Sequence, residues 1–430
     1  MLEKLFKLKE RKTDLRTEII AGVATFMTMA YIIFLNPIIL ADAGVPKAGA
    51  ILATALAAAL MSLFMGLFAN YPFALASGMG LNAFLTYAVV LGMKLSWQEA
   101  MGLVFWEGFI ITVLVLTNIR EAIMNAIPTA LKQAIGVGIG LFIAFIGLKG
   151  AGLVVANAAT FVTFGSIKSP SVIVALFGLA LTMILMAHKV KGSILIGIIS
   201  STVLAIILKV TGLPSAVVSM PTAESFSTIG ALDFSVIARP ALYATIFAFL
   251  ITDFFDTMGT VVAIGGEGKF LDKDHRLPGM NKVLLVDSIA AAFGGFMGAS
   301  SVTTYVESAA GVGEGGRTGL TSVVVAILFA LSIFFAPVVG IVPEAATAPA
   351  LIVVGFLMLT VVKEIPFDKL DEALPAFITI ITIPLTYSIA RGIGYGFVSY
   401  VLIKLFTGKA KDIHPLMYIV SALFVYSFLI

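Results

Sequence analysis

Long apolar runs alternate with short polar connections from one end of the chain to the other. A hydrocarbon core about 30 Å thick needs about 20 apolar residues for each helical crossing, and roughly fourteen runs of the chain meet this requirement. The pattern predicts an all-α, polytopic membrane protein. We expect its spans at approximately 17–38, 48–69, 73–91, 98–118, 129–148, 171–188, 192–211, 240–263, 280–298, 301–313, 318–340, 345–363, 373–389 and 392–407.

Three segments lie outside this pattern of spans. The connections 149–170 and 212–238 are rich in Ser, Thr, Ala and Pro, and we interpret them as excursions on the outer surface. The final apolar run, 414–430, is marginal in length for a crossing and ends without a polar anchor. We assign it to a helix at the membrane interface, with a fifteenth span as the alternative.

The composition excludes several classes of protein. Of 430 residues, 60% are hydrophobic and 12% are charged, and the mean hydropathy is +1.09. Soluble domains carry about 25% charged residues, so a soluble fold is excluded. The chain has no cysteine and only 3 scattered histidines, so we expect no metal site and no cofactor. Its basic residues form no single patch, which argues against a nucleic-acid partner.

The distribution of basic residues predicts the orientation in the membrane. Residues 1–16 are polar and basic, and we assign them to the cytoplasm together with connections that contain Arg120, Lys273 and Arg276. Cytoplasmic loops of membrane proteins carry an excess of Lys and Arg. The prediction is a multi-pass protein of the plasma membrane, as in a bacterial inner membrane. In the predicted orientation, seven of the 27 lysines and arginines lie on the outer side of the membrane: Lys47, Lys94, Lys149, Lys168, Lys209, Arg239 and Arg391.

The two halves of the chain carry a repeat. Span 3 (YPFALASGMGLNAFLTY) and span 10 (GASSVTTYVESAAGVG) both open with extended-favouring residues, break at small residues and end in a short helix. Pro128 precedes span 5 and Pro343 precedes span 12. Because each half has an odd number of spans, the repeat must be inverted. Broken helices at matching positions of inverted halves indicate the midplane substrate site of a secondary transporter.

The broken spans and the glycines also predict specific contacts. Backbone N–H and C=O groups at bilayer depth need protein partners, so we expect the two extended pieces to hydrogen-bond to each other. The GxxxG pairs Gly136–Gly140 and Gly294–Gly298 predict close packing of helices.

Acidic residues inside the apolar spans are the strongest chemical signal. A carboxylate at bilayer depth costs ~2.5–3.5 kcal/mol on insertion scales, so chains retain one there chiefly for function. Asp253 and Asp256 are three residues apart in span 8 and share a helical face with Thr257 and Thr260. Glu307 lies near the start of the short helix of span 10, where the helix dipole favours a carboxylate.

An amide joins these carboxylates. Asn82 occupies the position in span 3 that is comparable to Glu307 in span 10. Carboxylates that accept hydrogen bonds, with an amide that also donates, suit a flat polar heterocycle. Four aromatic residues could stack on its faces: Phe26, Tyr31, Phe255 and Tyr305.

Structural roles compete with the functional ones. Asp253 could tie helices together, and Asn82 could cap the broken helix of span 3. Glu107 and Asp287 are also acidic residues within spans, but no second broken helix accompanies them. We therefore assign both to hydrogen bonding within the bundle.

Four segments, in order along nearly the whole chain, resemble the azaguanine-type purine permeases of nucleobase–cation symporter family two: TEIIAGVATFMTMAYIIFLNP, ASGMGLNAF, ITDFFDTMGT and TTYVESAAGV. The resemblance implies fourteen helices as a seven-plus-seven inverted repeat, with short strands in spans 3 and 10. It implies a core (transport) domain from 17–118 and 239–340, and a gate domain from 119–238 and 341–430.

The resemblance also implies a substrate site between the strands of spans 3 and 10. Asp256 stands where uracil- and xanthine-type relatives have a glutamate, and Glu307 stands at the acid of their tenth span. Thr260 stands where some pyrimidine relatives have a histidine, so the role of that histidine is not transferred. The expected substrate-binding residues are Asp256, Glu307, Asn82, Asp253, Thr260, Phe255, Tyr305 and Thr304.

The function that the resemblance implies is uptake of hypoxanthine, guanine and adenine with protons, through an elevator-like movement. Glu307 or Asp256 would carry the proton, with Na⁺ as the alternative coupling ion, and a homodimer through the gate domain is plausible by resemblance. The alternatives are an anion, uracil or xanthine transporter of the same fold, a channel, and an intramembrane protease. The last is disfavoured because Asp253 and Asp256 share one helix and no GxGD sequence surrounds them.

Overall fold

The computed structural model describes residues 2–117, 126–271 and 277–429, and the described residues form a helical membrane bundle. Ten of its helices are long and apolar enough to cross a membrane, and shorter apolar helices cover 79–92, 193–207 and 415–429. Without the C-terminal helix 415–429, and with the broken span 10 and the helix of span 13, these elements account for the fourteen predicted spans. The predicted fold class is confirmed. Arg120, Lys273 and Arg276, which were assigned to the cytoplasm, lie outside the described residues.

The first half of the chain contains two interrupted spans. A short helix, Leu2–Phe6, precedes span 1, and span 1 is divided between two helices at Ala30 and Tyr31. Spans 1 to 7 consist of Leu15–Met29 and Ile32–Asp42, Lys47–Phe64 with the π-helical turn Met65–Ala69, strand β1 (Leu75–Ser77) with Met79–Ala83 and the π-helical Phe84–Gly92, Trp97–Leu116, Thr129–Gly150, Pro170–Ala187 and Ser193–Ile207.

The second half repeats this order with its own strand in span 10. The spans 8 to 14 and the C-terminal helix consist of Pro240–Leu242 with Tyr243–Glu267, Met280–Met297, strand β4 (Val302–Thr304) with Ser308–Gly313, Gly319–Ser332 with Ile333–Phe335 and Ala336–Gly340, Glu344–Leu359 with Thr360–Glu364, Leu370–Thr386, Ile389–Phe406 and Pro415–Leu429.

The outer connections contain more structure than the sequence predicts. The segment 149–170 forms an exposed antiparallel hairpin of β2 (Val154–Asn157) and β3 (Phe161–Phe164). The segment 212–238 contains 3₁₀ turns at Ala223–Phe226 and Phe234–Ala238. The alternation in FVTF was too short to predict a strand before its partner was known.

The two broken spans meet through their strands. β1 pairs antiparallel with β4, and Ala76 lies opposite Thr303 at the centre of the pairing. The pairing extends beyond the strands, because the N–H of Tyr305 donates to the carbonyl of Ala74 (2.9 Å). The expected hydrogen bonding between the two extended pieces is therefore confirmed, and it joins the two halves of the inverted repeat.

The GxxxG prediction of close helix packing is right for Gly140 and wrong for the other three glycines. Gly140 lies against the backbone of Gly355 where spans 5 and 12 cross, whereas Gly294 lies against the non-helical backbone that leads into β4. Gly136 faces open space, and Gly298 has a φ of +79° and ends the helix of span 9. The sequence motif records small residues, whereas the approach of a second helix decides which of them is needed.

The helices fall into two groups that pack mainly within themselves. The helices of spans 1–4 pack mostly on those of spans 8–11, and the helices of spans 5–7 pack mostly on those of spans 12–14. The corresponding spans 5 and 12 pack closely on each other, and both helices begin directly after Pro128 or Pro343. The C-terminal helix packs on span 14, with the rings of Phe424 and Phe397 6.0 Å apart.

We expect Gly140→Ala to destabilise the protein and Gly136→Ala to leave its stability unchanged. A methyl group at Gly140 would lie 2.7 Å from the carbonyl oxygen of Gly355, whereas nothing lies within 4 Å of a methyl group at Gly136. Overpacking of this kind costs about 1–3 kcal/mol. Thermal unfolding of the detergent-solubilised variants would measure the difference. Equal melting temperatures would contradict the close approach of spans 5 and 12.

Candidate functional site

Asp256 is the acidic residue of span 8 that faces open space inside the bundle. Its side chain is exposed, yet it interacts electrostatically with Glu307, Asp287, Tyr31 and Tyr305. Both tyrosines are almost fully buried. The exposure of Asp256 is therefore to an internal cavity rather than to lipid.

The cavity continues along span 8 towards the cytoplasmic end that the sequence predicts. Gly259, one turn after Asp256, is exposed, and nothing lies within 4 Å of a methyl group built on it. Gly136 of span 5 also faces open space. The ring of Phe255 is half-buried and lies under the Lys132 ammonium, at 5.3 Å from ring centroid to Nζ. Helices of both packing groups therefore border the region beside Asp256.

Glu307 sits at the break between β4 and the short helix of span 10. It is the N-cap residue of Ser308–Gly313, but its carboxylate makes no capping hydrogen bond. Instead, the hydroxyl of Tyr31 donates to Glu307 Oε1 at 2.6 Å. The side chain is half-buried. The break in span 1 thus meets the break in span 10.

Asp287 of span 9 holds β4 in place. Its Oδ1 accepts hydrogen bonds from the N–H and the hydroxyl of Thr304, both at 2.8 Å. Its Oδ2 accepts from the hydroxyl of Thr257, which also lies 2.9 Å from the hydroxyl of Thr303. A carboxylate that satisfies a strand N–H and several hydroxyls secures the irregular backbone. The predicted role of Asp287 in hydrogen bonding within the bundle is confirmed.

Three of the predicted site residues lie beside the cavity wall rather than on it. Thr304 is buried, with its hydroxyl on Asp287. Asp253 is 1% exposed, and the hydroxyl of Ser301 lies 3.5 Å from its Oδ1. Thr260 is buried on the same helix. The polar stripe of span 8 therefore divides into one exposed carboxylate and a set of buried groups.

Asn82 is fully buried and makes no side-chain hydrogen bond to any of the described residues. It does not cap the broken helix, because that helix, Met79–Ala83, begins after Gly78 without a side-chain cap. An unsatisfied buried polar group costs about 1–3 kcal/mol. Among the predicted site residues, Asn82 is thus one whose side-chain amide has no hydrogen-bond partner in the described part of the chain.

Aromatic residues surround the acidic groups unequally. The rings of Tyr31 and Tyr305 lie 6.5 Å apart, and the hydroxyl of Tyr305 donates to the carbonyl of Ser77 in β1. Phe26 packs edge-on against Phe329 of span 11, 5.1 Å between centroids. Tyr31 and Tyr305 therefore contact the polar centre, whereas Phe26 contributes to helix packing.

The polar groups at this centre are mainly hydrogen-bond acceptors. Two carboxylates, Asp256 and Glu307, offer acceptor oxygens beside a cavity, with aromatic rings nearby. Among the described residues, no group of three or more acidic or histidine side chains could hold a metal ion. The arrangement is suited to a small neutral molecule with N–H groups, or to a proton.

Two features of this centre were not predicted from the sequence. Asp287 was expected to form hydrogen bonds within the bundle, but β4 was not identified as its partner. Tyr31 was expected to stack on a substrate, and its hydrogen bond to Glu307 was not expected. The sequence contains no signal for this bond, because the helix break at Ala30 and Tyr31 falls in a run without proline or glycine.

Comparison with known proteins gives one family and full-length relatives. A family model described as a permease family, Xan_ur_permease, matches residues 16–395. The adenine permease AdeP of Escherichia coli is 42% identical over 99% of this chain and 95% of its own length. The guanine/hypoxanthine permease PbuG of Bacillus subtilis is 43% identical over 100% of this chain and 99% of its own length.

Solved structures share the fold at low sequence identity. The transmembrane domain of the cyanobacterial bicarbonate transporter BicA superposes with a TM-score of 0.65 at 14% identity. The match covers 87% of this chain and 97% of that domain. At this identity the likeness concerns the fold alone.

We expect Asp287→Asn to lower the thermal stability of the protein. The amide replaces one acceptor oxygen with a donor, so at least one of the groups that now bond to Asp287 loses its acceptor at a cost of about 1–3 kcal/mol. Ser288→Ala is the matched control, because within the described part of the chain the Ser288 hydroxyl bonds only to backbone carbonyls of its own helix (2.8 Å to Leu284 O). Tryptophan fluorescence during thermal unfolding would measure both. An Asp287→Asn variant as stable as Ser288→Ala would refute the role of Asp287 in holding β4.

Proposed function

The chain belongs to the Xan_ur_permease family of permeases, and from this premise we propose that it imports purine nucleobases together with protons. Membership identifies a multi-pass membrane transporter rather than an enzyme. The observation that carries the proposal is the meeting of Asp256 and Glu307 beside an internal cavity, where the strands of two inverted halves interrupt their helices. The names of the relatives AdeP and PbuG support a purine as the substrate.

The chemistry of a purine fits the groups around the cavity. Hypoxanthine, guanine and adenine are flat, carry ring N–H groups, and differ in their exocyclic amino and carbonyl groups. Asp256 and Glu307 would accept from ring or amino N–H groups, and Asn82 would supply the amide that reads a ring carbonyl or nitrogen. Phe255 and Tyr305 would contact the faces of the ring. Asp253, Thr260 and Thr304 would support this site from behind.

Two carboxylates at one cavity also suit proton coupling. Like charges in a dehydrated site repel each other, so a proton on Glu307 or Asp256 stabilises the pair. Neutralisation would let the site cross the membrane interior without carrying an uncompensated charge. A potential of 100 mV adds about 2.3 kcal/mol per charge moved, which corresponds to about fiftyfold accumulation.

The two packing groups of helices provide the moving parts of the proposal. The core domain would comprise 17–118 and 239–340, and the gate domain 119–238 and 341–430. Contacts between them at the outer end include the ring of Tyr87 in span 3, which lies 6.4 Å from Phe142 and from Tyr387 of the gate. An elevator-like movement of the core would break these contacts and expose the site outside. Residues 1–16 would stay in the cytoplasm, and the gate would form any homodimer.

We expect proteoliposomes that contain the protein to accumulate labelled hypoxanthine when the outside is more acidic than the inside. A protonophore should abolish accumulation, and replacement of Na⁺ by K⁺ should leave it unchanged. Unlabelled guanine or adenine should compete, whereas uracil and sulfate should not. Accumulation that follows a Na⁺ gradient and ignores the protonophore would contradict proton coupling. Competition by uracil or sulfate would redirect the substrate assignment.

Glu307→Gln should abolish accumulation in the same assay, because the amide cannot take up and release a proton. Glu224→Gln is the control, since Glu224 is exposed in the connection 212–238. Full accumulation by Glu307→Gln would remove Glu307 from the coupling mechanism.

A larger residue at Gly259 should block transport without unfolding the protein. Gly259→Val would project into the open space beside Asp256, and filling a fitted site with extra carbons costs about 1–3 kcal/mol, or about 5- to 150-fold in binding. Gly266→Val is matched, since Gly266 lies on the same helix and also faces open space near the helix end. Binding of hypoxanthine, measured by its protection against thermal unfolding, should weaken for Gly259→Val alone. Equal binding by both variants would exclude the space beside Gly259 from the site.

A further inference from the structure

Tyr31 occupies a position that connects three interrupted elements. It lies between the helices Leu15–Met29 and Ile32–Asp42 and is 1% exposed. Its hydroxyl reaches across to span 10 and donates to Glu307 Oε1 at 2.6 Å. Its ring lies 6.5 Å from that of Tyr305, which is bonded to β1. A single side chain thus joins the break of span 1 to the carboxylate at the break of span 10.

No other side chain of the described residues donates a hydrogen bond to this carboxylate. The hydroxyl of Thr28, one turn before Tyr31, reaches only the backbone carbonyl of Glu307, at 3.3 Å. Among the described residues, Tyr31 of span 1, Asp256 of span 8 and Tyr305 of span 10 interact electrostatically with Glu307, and none of these three is a cation. A neutral hydroxyl is therefore the group that stabilises the charged form of Glu307.

We infer that Tyr31 is a positioning residue that sets the pH range over which Glu307 exchanges its proton during transport. The inference rests on the proposed function. It means that a residue of span 1 controls the pH at which Glu307 binds and releases its proton. A donor to a carboxylate favours its charged form over its neutral form. Because Tyr31 holds Oε1, Oε2 would be the oxygen that takes up the arriving proton or accepts a substrate N–H. Loss of the hydroxyl would free both oxygens of Glu307. The Glu307 carboxyl group would then keep its proton at a lower proton concentration, that is, at higher pH.

Tyr305 supplies the matched control. It is a buried tyrosine of the same region, but its hydroxyl donates to the backbone carbonyl of Ser77, which does not titrate in this range. Tyr31→Phe and Tyr305→Phe each remove one hydroxyl and keep the ring. A general loss of packing or polarity would affect both variants alike, whereas a change in the pH at which Glu307 binds its proton is expected in Tyr31→Phe alone.

The test is the pH profile of hypoxanthine uptake into proteoliposomes, with the external pH varied and the internal pH fixed. For Tyr31→Phe we expect the alkaline midpoint of uptake to move to higher pH by about one unit, the size of shift that one hydrogen bond to a carboxylate produces. For Tyr305→Phe the maximal rate changes and the midpoint stays. An unchanged midpoint in Tyr31→Phe, or the same shift in both variants, would overturn the inference while leaving the proposed function intact. Absence of uptake by the unmodified protein would overturn the proposed function instead.

A spectroscopic measurement covers the case in which Tyr31→Phe does not reach the membrane or uptake is absent. The unmodified protein, with isotope-labelled tyrosine, is titrated with acid and followed by infrared difference spectroscopy. Protonation of Glu307 changes the hydrogen bond of Tyr31, so a tyrosine C–O band should shift with pH. The shift should be lost in Glu307→Gln. The same band shift in both proteins, or none in the unmodified protein, would contradict the coupling of Tyr31 to Glu307.

Discussion

The centre of this protein depends on one constraint, which is that backbone groups inside a bilayer must find partners within the protein. Spans 3 and 10 give up helical hydrogen bonds in their opening segments, and β1 and β4 satisfy the backbone groups there by pairing with each other. The pairing forces the two inverted halves together, and Asp287 fixes β4 from span 9. Glu307 follows β4 closely, so the strand pairing also positions its carboxylate beside Tyr31 and Asp256.

Much of this arrangement follows from signals that the sequence carries locally. Hydrophobic length gives the spans, because the thickness of the bilayer is fixed. The matching irregularity of spans 3 and 10 predicts the strand pairing, since two interruptions at the same depth can satisfy each other. Asp256 and Glu307 stand out because a charge in the membrane is expensive. In each case the bilayer imposes the rule, and the sequence of the spans concerned is sufficient to apply it.

The remaining features depend on how helices approach each other, which one segment does not encode. Tyr31 and Glu307 are 276 positions apart, and nothing around Tyr31 announces its hydrogen bond. Gly136 and Gly140 belong to the same motif, but only Gly140 meets a second backbone. Thr304 was predicted to bind substrate, and in the structure its hydroxyl donates to Asp287. Side-chain chemistry gives candidates, and the packing of neighbouring helices selects among them.

The pairing of β1 with β4 also affects the synthesis of the protein on the ribosome and its insertion into the membrane. β1 emerges when only the third span has been made, and its partner is still separated from it by most of the unsynthesised chain. In hydrocarbon the open edge of β1 would leave several polar groups bare, at several kcal/mol each. The nascent third span therefore cannot enter the hydrocarbon core until the tenth span has been synthesised. Until then it stays beside the insertion machinery or near the membrane surface. The two halves mature as one unit, and the order of synthesis makes the first half the vulnerable one.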